Sequence, residues 1–349
     1  MERRGEQRTT MTTIKDVAKR AGVSVSTASV ALSGRGPVSE ATRRRVLEAA
    51  KALDYRPNAI ARSLVTRRTQ TVGLVLSDIT DPYFHEITKG VEHVLSAAGY
   101  ALILADTDRS AAKERRSLEI FEGQRVAGII LAGSGTEDEA APLDLKGDGI
   151  AVVTIGRHHA GLPFVAVDNV KAAGQAVAHL AETGARRIAF VAGPEGLLAA
   201  EERREGYLAA LKERGLPSCP EWIVRGDFTP QGGHRAVAEL LERCGRGACP
   251  EPDAILAAND QMAIGVLKGL KERGIPVPEE IAVAGIGGIP TGEFVDPPLT
   301  TVALPMKAMG EAAAGMLLEM IEGGRRKARP SVWLETHLLV RASTGAGRA

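Results

Sequence analysis

Aromatic side chains are scarce in this 349-residue sequence: two Trp, four Tyr and six Phe make up 3% of it. Any core must therefore be assembled mainly from Ala, Val, Leu and Ile. Cysteine is rarer still, with Cys219, Cys244 and Cys249 the only examples. An odd count without CxxC spacing offers neither a disulfide framework nor a zinc motif, so a reducing compartment is expected and no metal. No apolar run approaches the ~18 residues of a membrane span. The first thirty residues also lack the apolar stretch of a secretory signal. A cytoplasmic protein without membrane contact is expected.

Catalytic signatures are missing as well. There is no P-loop, GxSxG or HExxH. GIGGIP (285–290) and GSGTED (133–138) resemble a dinucleotide-binding loop but lack its third glycine, and so read as loop glycines. His158-His159 has no partner carboxylate at metal-ligand spacing. Neither an enzyme nor a cofactor is expected.

What is present is uneven. The length implies two or three domains, and 44% apolar with 25% charged residues describes a globular chain. The net charge of +1 conceals an asymmetry. Residues 1–69 hold fifteen Lys and Arg against six Asp and Glu, whereas the rest hold 29 against 37. A basic head on an acidic body points to an anionic partner for the head, with nucleic acid the first candidate.

Within the head, residues 1–11 read as an extension or arm, because apolar patterning begins only after them. Thr13 can cap a helix from Ile14 to about Ala21, ended by Gly22. Ser24 can cap a second helix to about Leu32 with Ala28, Ala31 and Leu32 inward. Gly34 to Pro37 breaks the chain, and Ser39 can cap a third helix to about Leu53. There Val46, Leu47 and Ala50 are expected inward, and Arg43, Arg44 and Arg45 largely outward. Two short helices joined by a glycine-containing turn have helix-turn-helix geometry, whose second helix enters the DNA major groove. That second helix, VSVSTASVALS with its cap, is uncharged although it lies in the most basic part of the chain. Pro57 stops the preceding structure, and Asn58 can cap a helix over Ala59–Leu64 that is too short to stand alone.

From Thr71 the period changes to strand-length apolar runs: TVGLVLS, ALILAD, AGIILAG and IAVVTIG, separated by helical segments or loops. After VAVDN (165–169) the theme restarts with RIAFVAG, DAILAAN and IAVAGIG. Alternating units of this kind predict two doubly wound parallel-sheet lobes.

TIKDVAKRAGVSVSTASVALSG, VSEATRRRVLEAAKALDYRPNAIARSL, TVGLVLSDITDPYFHEITKGVEHVLSAAGY, AANDQMAIG and LLVRAST together resemble the LacI/GalR family of bacterial transcription regulators over almost all of residues 12–344. The resemblance implies a helix-turn-helix DNA-binding domain at 12–56, a hinge helix and linker at 57–69, and a two-lobe effector-binding and dimerisation domain at 70–344. The lobes resemble periplasmic sugar-binding proteins. The first is placed at about 70–168 and 303–328, and the second at about 169–299 and 331–344, with chain crossings near Asp168–Val170, Leu299–Ala303 and Ala328–Val332.

Residue by residue, the resemblance implies that Val25, Ser26 and Val30 face base edges, while Thr27, Ser29 and Arg35 reach phosphate. A valine can pack on a thymine methyl but cannot make the bidentate bonds of Arg or Gln. In the hinge, Asn58, Ala61, Arg62 and Leu64 are implied to meet DNA, with Leu64 as a minor-groove wedge. For the cleft between the lobes it implies a small-molecule effector met by Asp78, Tyr83, Phe84, Arg157, Arg203, Phe228, Asn259 and Asp260. One of Asn259 and Asp260 would face the ligand while the other caps the following helix. The implied partners are double-stranded operator DNA, the effector and a second copy of the chain. Repression is the expected outcome, with an activator or an effector-independent regulator as alternatives and an exported solute-binding protein as a remote one.

The chain departs from the family pattern at two carboxylates. Ile155-Gly156-Arg157 stands where the family usually has Ile-Asp-Arg, and Gly285-Ile286-Gly287-Gly288 where it usually has an aspartate. A common hexose held in the usual way is therefore not expected.

Overall fold

A computed structural model describes residues 12–33, 36–55, 69–133, 150–156, 162–245, 247, 249–323 and 331–345. It divides the chain into two compact units, residues 1–69 and 70–349.

Among its described residues the first unit holds three helices, α1 (Ile14–Ala21), α2 (Val25–Ser33) and α3 (Glu40–Ala52). Each begins at a hydroxyl side chain. Thr13 donates through its backbone N and its Oγ1 to the Asp16 carboxylate at 2.9 and 2.7 Å. Ser24 Oγ accepts the Thr27 amide at 3.1 Å, and Ser39 Oγ accepts that of Thr42 at 3.3 Å. These bonds satisfy amides that the first turn of a helix leaves without partners. Gly22 closes α1 in the left-handed region (φ 66°), where a side chain would be strained. Val17, Ala18, Ala21, Ala28, Ala31, Val46, Ala49 and Ala50 form the core. Leu47 does not join it as expected: it is 50% exposed, because Val46, Ala49 and Ala50 at i, i+3 and i+4 already fill the buried stripe.

The second unit contains two six-stranded sheets. The first runs through β1 (Thr71–Leu76), β2 (Ala101–Asp106), β3 (Gly128–Ala132), β4 (Ala151–Ile155) and β5 (Phe164–Val167). The second takes β6 (Ile188–Ala192), β7 (Ile223–Arg225), β8 (Ala254–Ala257), β9 (Ala282–Gly287) and β10 (Thr300–Ala303). Short strands β11 (Ser331–Leu334) and β12 (His337–Leu339) complete one sheet each. The orders are β11-β5-β4-β3-β1-β2 and β12-β10-β9-β8-β6-β7. Every pairing is parallel except that of β12 with β10. In both orders the chain reverses its winding beside the first strand, which leaves a crevice at the strands' carboxyl ends.

This topology corrects two of the expected crossings. Thr300–Ala303 still pairs with β9, so the second crossing follows it, at Leu304–Pro305. Ser331–Leu334 pairs in parallel with Phe164–Val167 and belongs to the first lobe, so the third crossing falls at Glu335–Thr336 and not before 331. The residue types of 331–334 suit either sheet, and only the edge left open by β5 decides between them.

Helices α4 (Pro82–Ala97), α5 (Ala111–Gly123) and α10 (Met306–Gly323) flank the first sheet. Helices α6 (Asn169–Glu182), α7 (Leu198–Glu213), α8 (Pro230–Gly245) and α9 (Asp260–Glu272) flank the second. The approach of α4 to α10 requires glycine. A Cβ on Gly90 would lie 2.1 Å from the Lys307 carbonyl oxygen, and one on Gly310 would lie 2.2 Å from that of Ile87. Among the described residues, no helix is long and apolar enough to cross a membrane.

Candidate functional site

In the three-helix unit the interior is taken by Ala28 and Ala31 of α2, so the opposite side of that helix faces out. Val25, Ser26 and Ser29 are exposed, Val25 by 43%, while Thr27 and Val30 are half-buried. The hydroxyls of Ser26 and Thr27 both lie 2.8 Å from Ser24 Oγ, so the start of the helix presents a linked cluster of three hydroxyls. On α3, Arg44 and Arg45 are exposed and Arg43 half-buried. Arg35, Asn58, Ala61, Arg62 and Leu64 lie outside the described residues.

The second unit holds a cavity with about 760 Å³ of empty space, part of it open to solvent, at the carboxyl ends of both sheets. Its walls come from both lobes. The first supplies Asp81, Tyr83, Gly133, Gly156 and Met309, and the second Asn169, Arg203, Phe228, Asn259, Asp260 and Gln261. The size suits a small organic ligand.

Asp81 caps α4 by accepting the Tyr83 amide at 3.0 Å through Oδ1, the arrangement that also brings the Tyr83 side chain to the cavity. Burial raises the Asp81 carboxyl above its usual range and pushes the Tyr83 phenol up to about 12. On the facing side, Arg203 projects from α7. Its Nε donates to Asn169 Oδ1 at 3.0 Å and its Nη1 to the Ala258 carbonyl at 2.6 Å. Burial lowers the guanidinium's pKa, opposed by Tyr83, Asp260 and Asp81, and it stays charged because its reference value is so high. Two of the three guanidinium nitrogens are thus committed to the protein and the group is fixed in orientation at the cavity wall.

Asp260 and Asn259 divide their tasks differently from a simple ligand-and-cap scheme. Asn259 Oδ1 caps α9 through the Met262 amide at 2.9 Å, while its Nδ2 holds the Phe228 carbonyl at 3.0 Å. That bond secures Phe228 at a φ of 65°, a costly conformation for a bulky side chain. Asp260 is 1% exposed. Its Oδ1 accepts Thr301 Oγ1 at 2.6 Å, and its Oδ2 accepts the amides of Gly288 and Ile289 at 2.6 and 2.9 Å. Burial raises this carboxyl and the three donors oppose the rise. Asp260 therefore shapes the wall after β9, where the family pattern expected an aspartate and this chain has glycines.

Arg109, which the sequence reading did not single out, crosses the mouth of the cleft. Its Nη2 lies 3.3 Å from Asp78 Oδ2 in its own lobe. Its Nη1 donates to the Asp227 carbonyl of the other lobe at 3.1 Å, and its guanidinium lies 5.9 Å from the Phe228 ring centroid. Asp108 and Arg109 both have positive φ, of 48° and 59°, as the turn after β2 aims this side chain across.

Of the expected cleft residues, Tyr83, Arg203, Phe228, Asn259 and Asp260 line the cavity, and Arg157 lies outside the described residues. Asp78 and Phe84 do not line it. Asp78 accepts from Thr80 and pairs with Arg109. Phe84 turns into the first lobe's core, 5% exposed, edge-on to Tyr83. One helical step separates Tyr83 from Phe84, and that step sends one ring to the cavity and the next away from it. Asp81, whose place at a strand end facing the cleft marks it in the sequence, lines the cavity too, while Asn169, Gln261 and Met309 do so without having been selected.

Comparison with known proteins gives consistent matches. A family model described as bacterial regulatory proteins, lacI family, matches residues 13–58. A second, for a periplasmic binding protein-like domain, matches residues 177–344. The chain is 33% identical over 347 residues to the HTH-type transcriptional repressor CytR of Escherichia coli strain K12, covering 98% of this chain and 99% of that one. It is 39% identical over 341 residues to the HTH-type transcriptional regulator CelR of Thermobifida fusca, covering 95% and 98%. Among solved structures, a transcriptional regulator CelR–cellobiose complex superposes with a TM-score of 0.71 at 36% identity, covering 95% of this chain and 99% of that one. The Lac repressor dimer bound to operator and the anti-inducer ONPF shares the fold, with a TM-score of 0.83 at 24% identity over 97% of this chain and all of that one.

Proposed function

This chain belongs to the LacI family of bacterial regulatory proteins, and from that membership and the two sites above we propose that it is a cytoplasmic, dimeric repressor without enzymatic activity. It would bind operator DNA through α2, and a sugar-like effector in the cleft would alter that binding. The observation that carries the DNA half is the exposed, uncharged outer side of α2, held to the three-helix core by Ala28 and Ala31. Val25, Ser26 and Val30 would meet base edges there, and Ser29, Thr27 and Arg35 phosphate. Small side chains let the helix backbone lie close to the groove floor and give few polar base contacts. Affinity would then rest largely on phosphates and be strongly salt-dependent. Asn58, Ala61, Arg62 and Leu64 would complete the interface, with two copies of the chain meeting two half-sites.

The effector reading rests on the pairing of fixed hydrogen-bonding groups with an aromatic wall. Asp81 from the first lobe accepts, Arg203 from the second donates, and Phe228 offers a ring for an apolar sugar face. A polyhydroxyl ligand spanning these groups contacts both lobes at once and so favours one degree of closure over another, which is what coupling to the DNA-binding units requires. CelR, the relative whose structure holds cellobiose, makes β-linked disaccharides the first compounds to try. A thermal-shift screen of mono- and disaccharides, nucleosides and phosphorylated metabolites tests this reading. Stabilisation by a sugar that Arg203→Ala abolishes supports it, and stabilisation by nucleosides alone overturns it.

A further inference from the structure

At the amino ends of β7 and β8 in the second lobe, opposite the strand ends that face the cleft, the structure gathers all three cysteines of the chain. Cys219 precedes the short turn Pro220–Trp222 that leads into edge strand β7. Cys244 lies in the last turn of α8, and Cys249 in the segment that leads to β8. Cys244 Sγ and Cys249 Sγ are 3.2 Å apart, and Cys219 Sγ is 2.7 Å from Glu221 Oε2. The donor atoms of Cys219, Glu221 and Cys249 all lie within 4.8 Å of one another. Both short distances are inside ordinary van der Waals separation for these atoms. Cys244 and Cys249 are buried, whereas Cys219 is partly exposed and leaves the cluster an entrance.

We propose that Cys219, Cys244, Cys249 and Glu221 form a structural binding site for a zinc ion, with three sulfur ligands and one carboxylate oxygen. Four donors is the number a closed structural zinc site uses, and sulfur is its preferred ligand atom. Three sulfurs at about 2.3 Å and one oxygen at about 2.0–2.2 Å from a tetrahedral ion lie roughly 3.5–3.8 Å from one another. Cys219, Glu221 and Cys249 lie within 4.8 Å of one another, and Cys244 adjoins them through Cys249 at 3.2 Å, so side-chain rotations that draw Cys244 toward the other two would complete the shell. Sulfur ligation selects zinc over magnesium or calcium, which take oxygen donors.

A disulfide between Cys244 and Cys249 is the rival use of that pair, and it gives no part to Cys219 and Glu221, whose donor atoms lie within 4.8 Å of Cys249 Sγ; a cation uses all four. An ion here would join the edge strand, the end of α8 and the approach to β8, three pieces that sequence separates by up to thirty residues.

The test uses the full-length chain, reduced, stripped of metal and titrated with Co(II). The site predicts one equivalent bound per chain, visible bands of tetrahedral cobalt together with a thiolate-to-cobalt charge-transfer band, and displacement by one equivalent of Zn(II). Cys244→Ser and Cys249→Ser should each weaken the charge-transfer band and bind cobalt less tightly, and Glu221→Gln should retain the full band at lower affinity. The wild-type titration decides the matter even if a variant fails to fold. Absence of the charge-transfer band overturns the proposal. So does a Cys244–Cys249 linkage, two hydrogens lighter, as the form recovered without reductant from metal-replete cells.

Discussion

Replacing Asp260 probes the wall of the cleft most sharply, because one buried carboxylate holds three donors. Asp260→Ala would leave the Gly288 and Ile289 amides and the Thr301 hydroxyl without their acceptor. A buried donor stripped of its partner costs about 1–3 kcal/mol. The Gly288 amide retains a weaker alternative, Thr301 Oγ1 at 3.2 Å. Buried Arg203 also loses a nearby opposing charge. These losses overlap, and about 4–5 kcal/mol in all is expected. For a unit of this size that lowers the melting temperature by on the order of 10 °C. Asp260→Asn should behave differently. Its Oδ1 can accept both amides while its Nδ2 donates to Thr301, so the cost falls to about 1–2 kcal/mol from the lost charge. Calorimetry on wild type and both variants reads the difference directly. An alanine variant melting within about 2 °C of wild type, or an asparagine variant as unstable as the alanine one, would refute the reasoning.

Three further outcomes follow from single features. Arg109→Ala removes the bridge from Asp78 to the Asp227 carbonyl and the Phe228 ring; effector affinity measured by calorimetry should fall while the melting temperature without effector changes little. His179, whose Nε2 lies 2.8 Å from Thr344 Oγ1, is held below its usual pKa of 6.5 by burial, against the opposing pull of Glu182. Stability from its neutral form is present above 6.5 and lost as pH falls through the lower folded value, so melting curves between about pH 7 and 5 should be flatter in His179→Gln than in wild type. Gly310→Ala places a methyl 2.2 Å from the Ile87 carbonyl oxygen and should destabilise the first lobe by about 1–3 kcal/mol, read as a lower denaturant midpoint.

Much of this architecture was legible in the residues because local signals and global fold agree. Thr13, Ser24 and Ser39 announced three helix starts, and the strand runs from Thr71 onward announced parallel sheets. Where the reading failed, the deciding information was three-dimensional. Leu47 is apolar but lies beside the buried stripe, not within it, and Ser331–Leu334 is claimed by an edge that the sequence does not show. Asp78 and Asp81 look alike in sequence; hydrogen bonding sends the first to Thr80 and Arg109 and leaves the second at the cavity. The cysteines lacked any motif spacing because Cys219 precedes edge strand β7 whereas Cys244 ends α8 and Cys249 leads into interior strand β8, and only the parallel order of β7, β6 and β8 brings them together.

The most direct test of the central claim measures DNA binding and cleft occupancy together. Genomic fragments selected by the full-length chain would be titrated by fluorescence anisotropy, with and without the stabilising sugar, for wild type, Ser26→Ala and Arg203→Ala. The account predicts tight, salt-sensitive binding by wild type that the sugar changes. Ser26→Ala should bind the same fragments more weakly or less selectively, and Arg203→Ala should bind them as well as wild type but without response to the sugar. Failure of the wild-type chain to select any fragment, or a sugar response that survives Arg203→Ala unchanged, would contradict it.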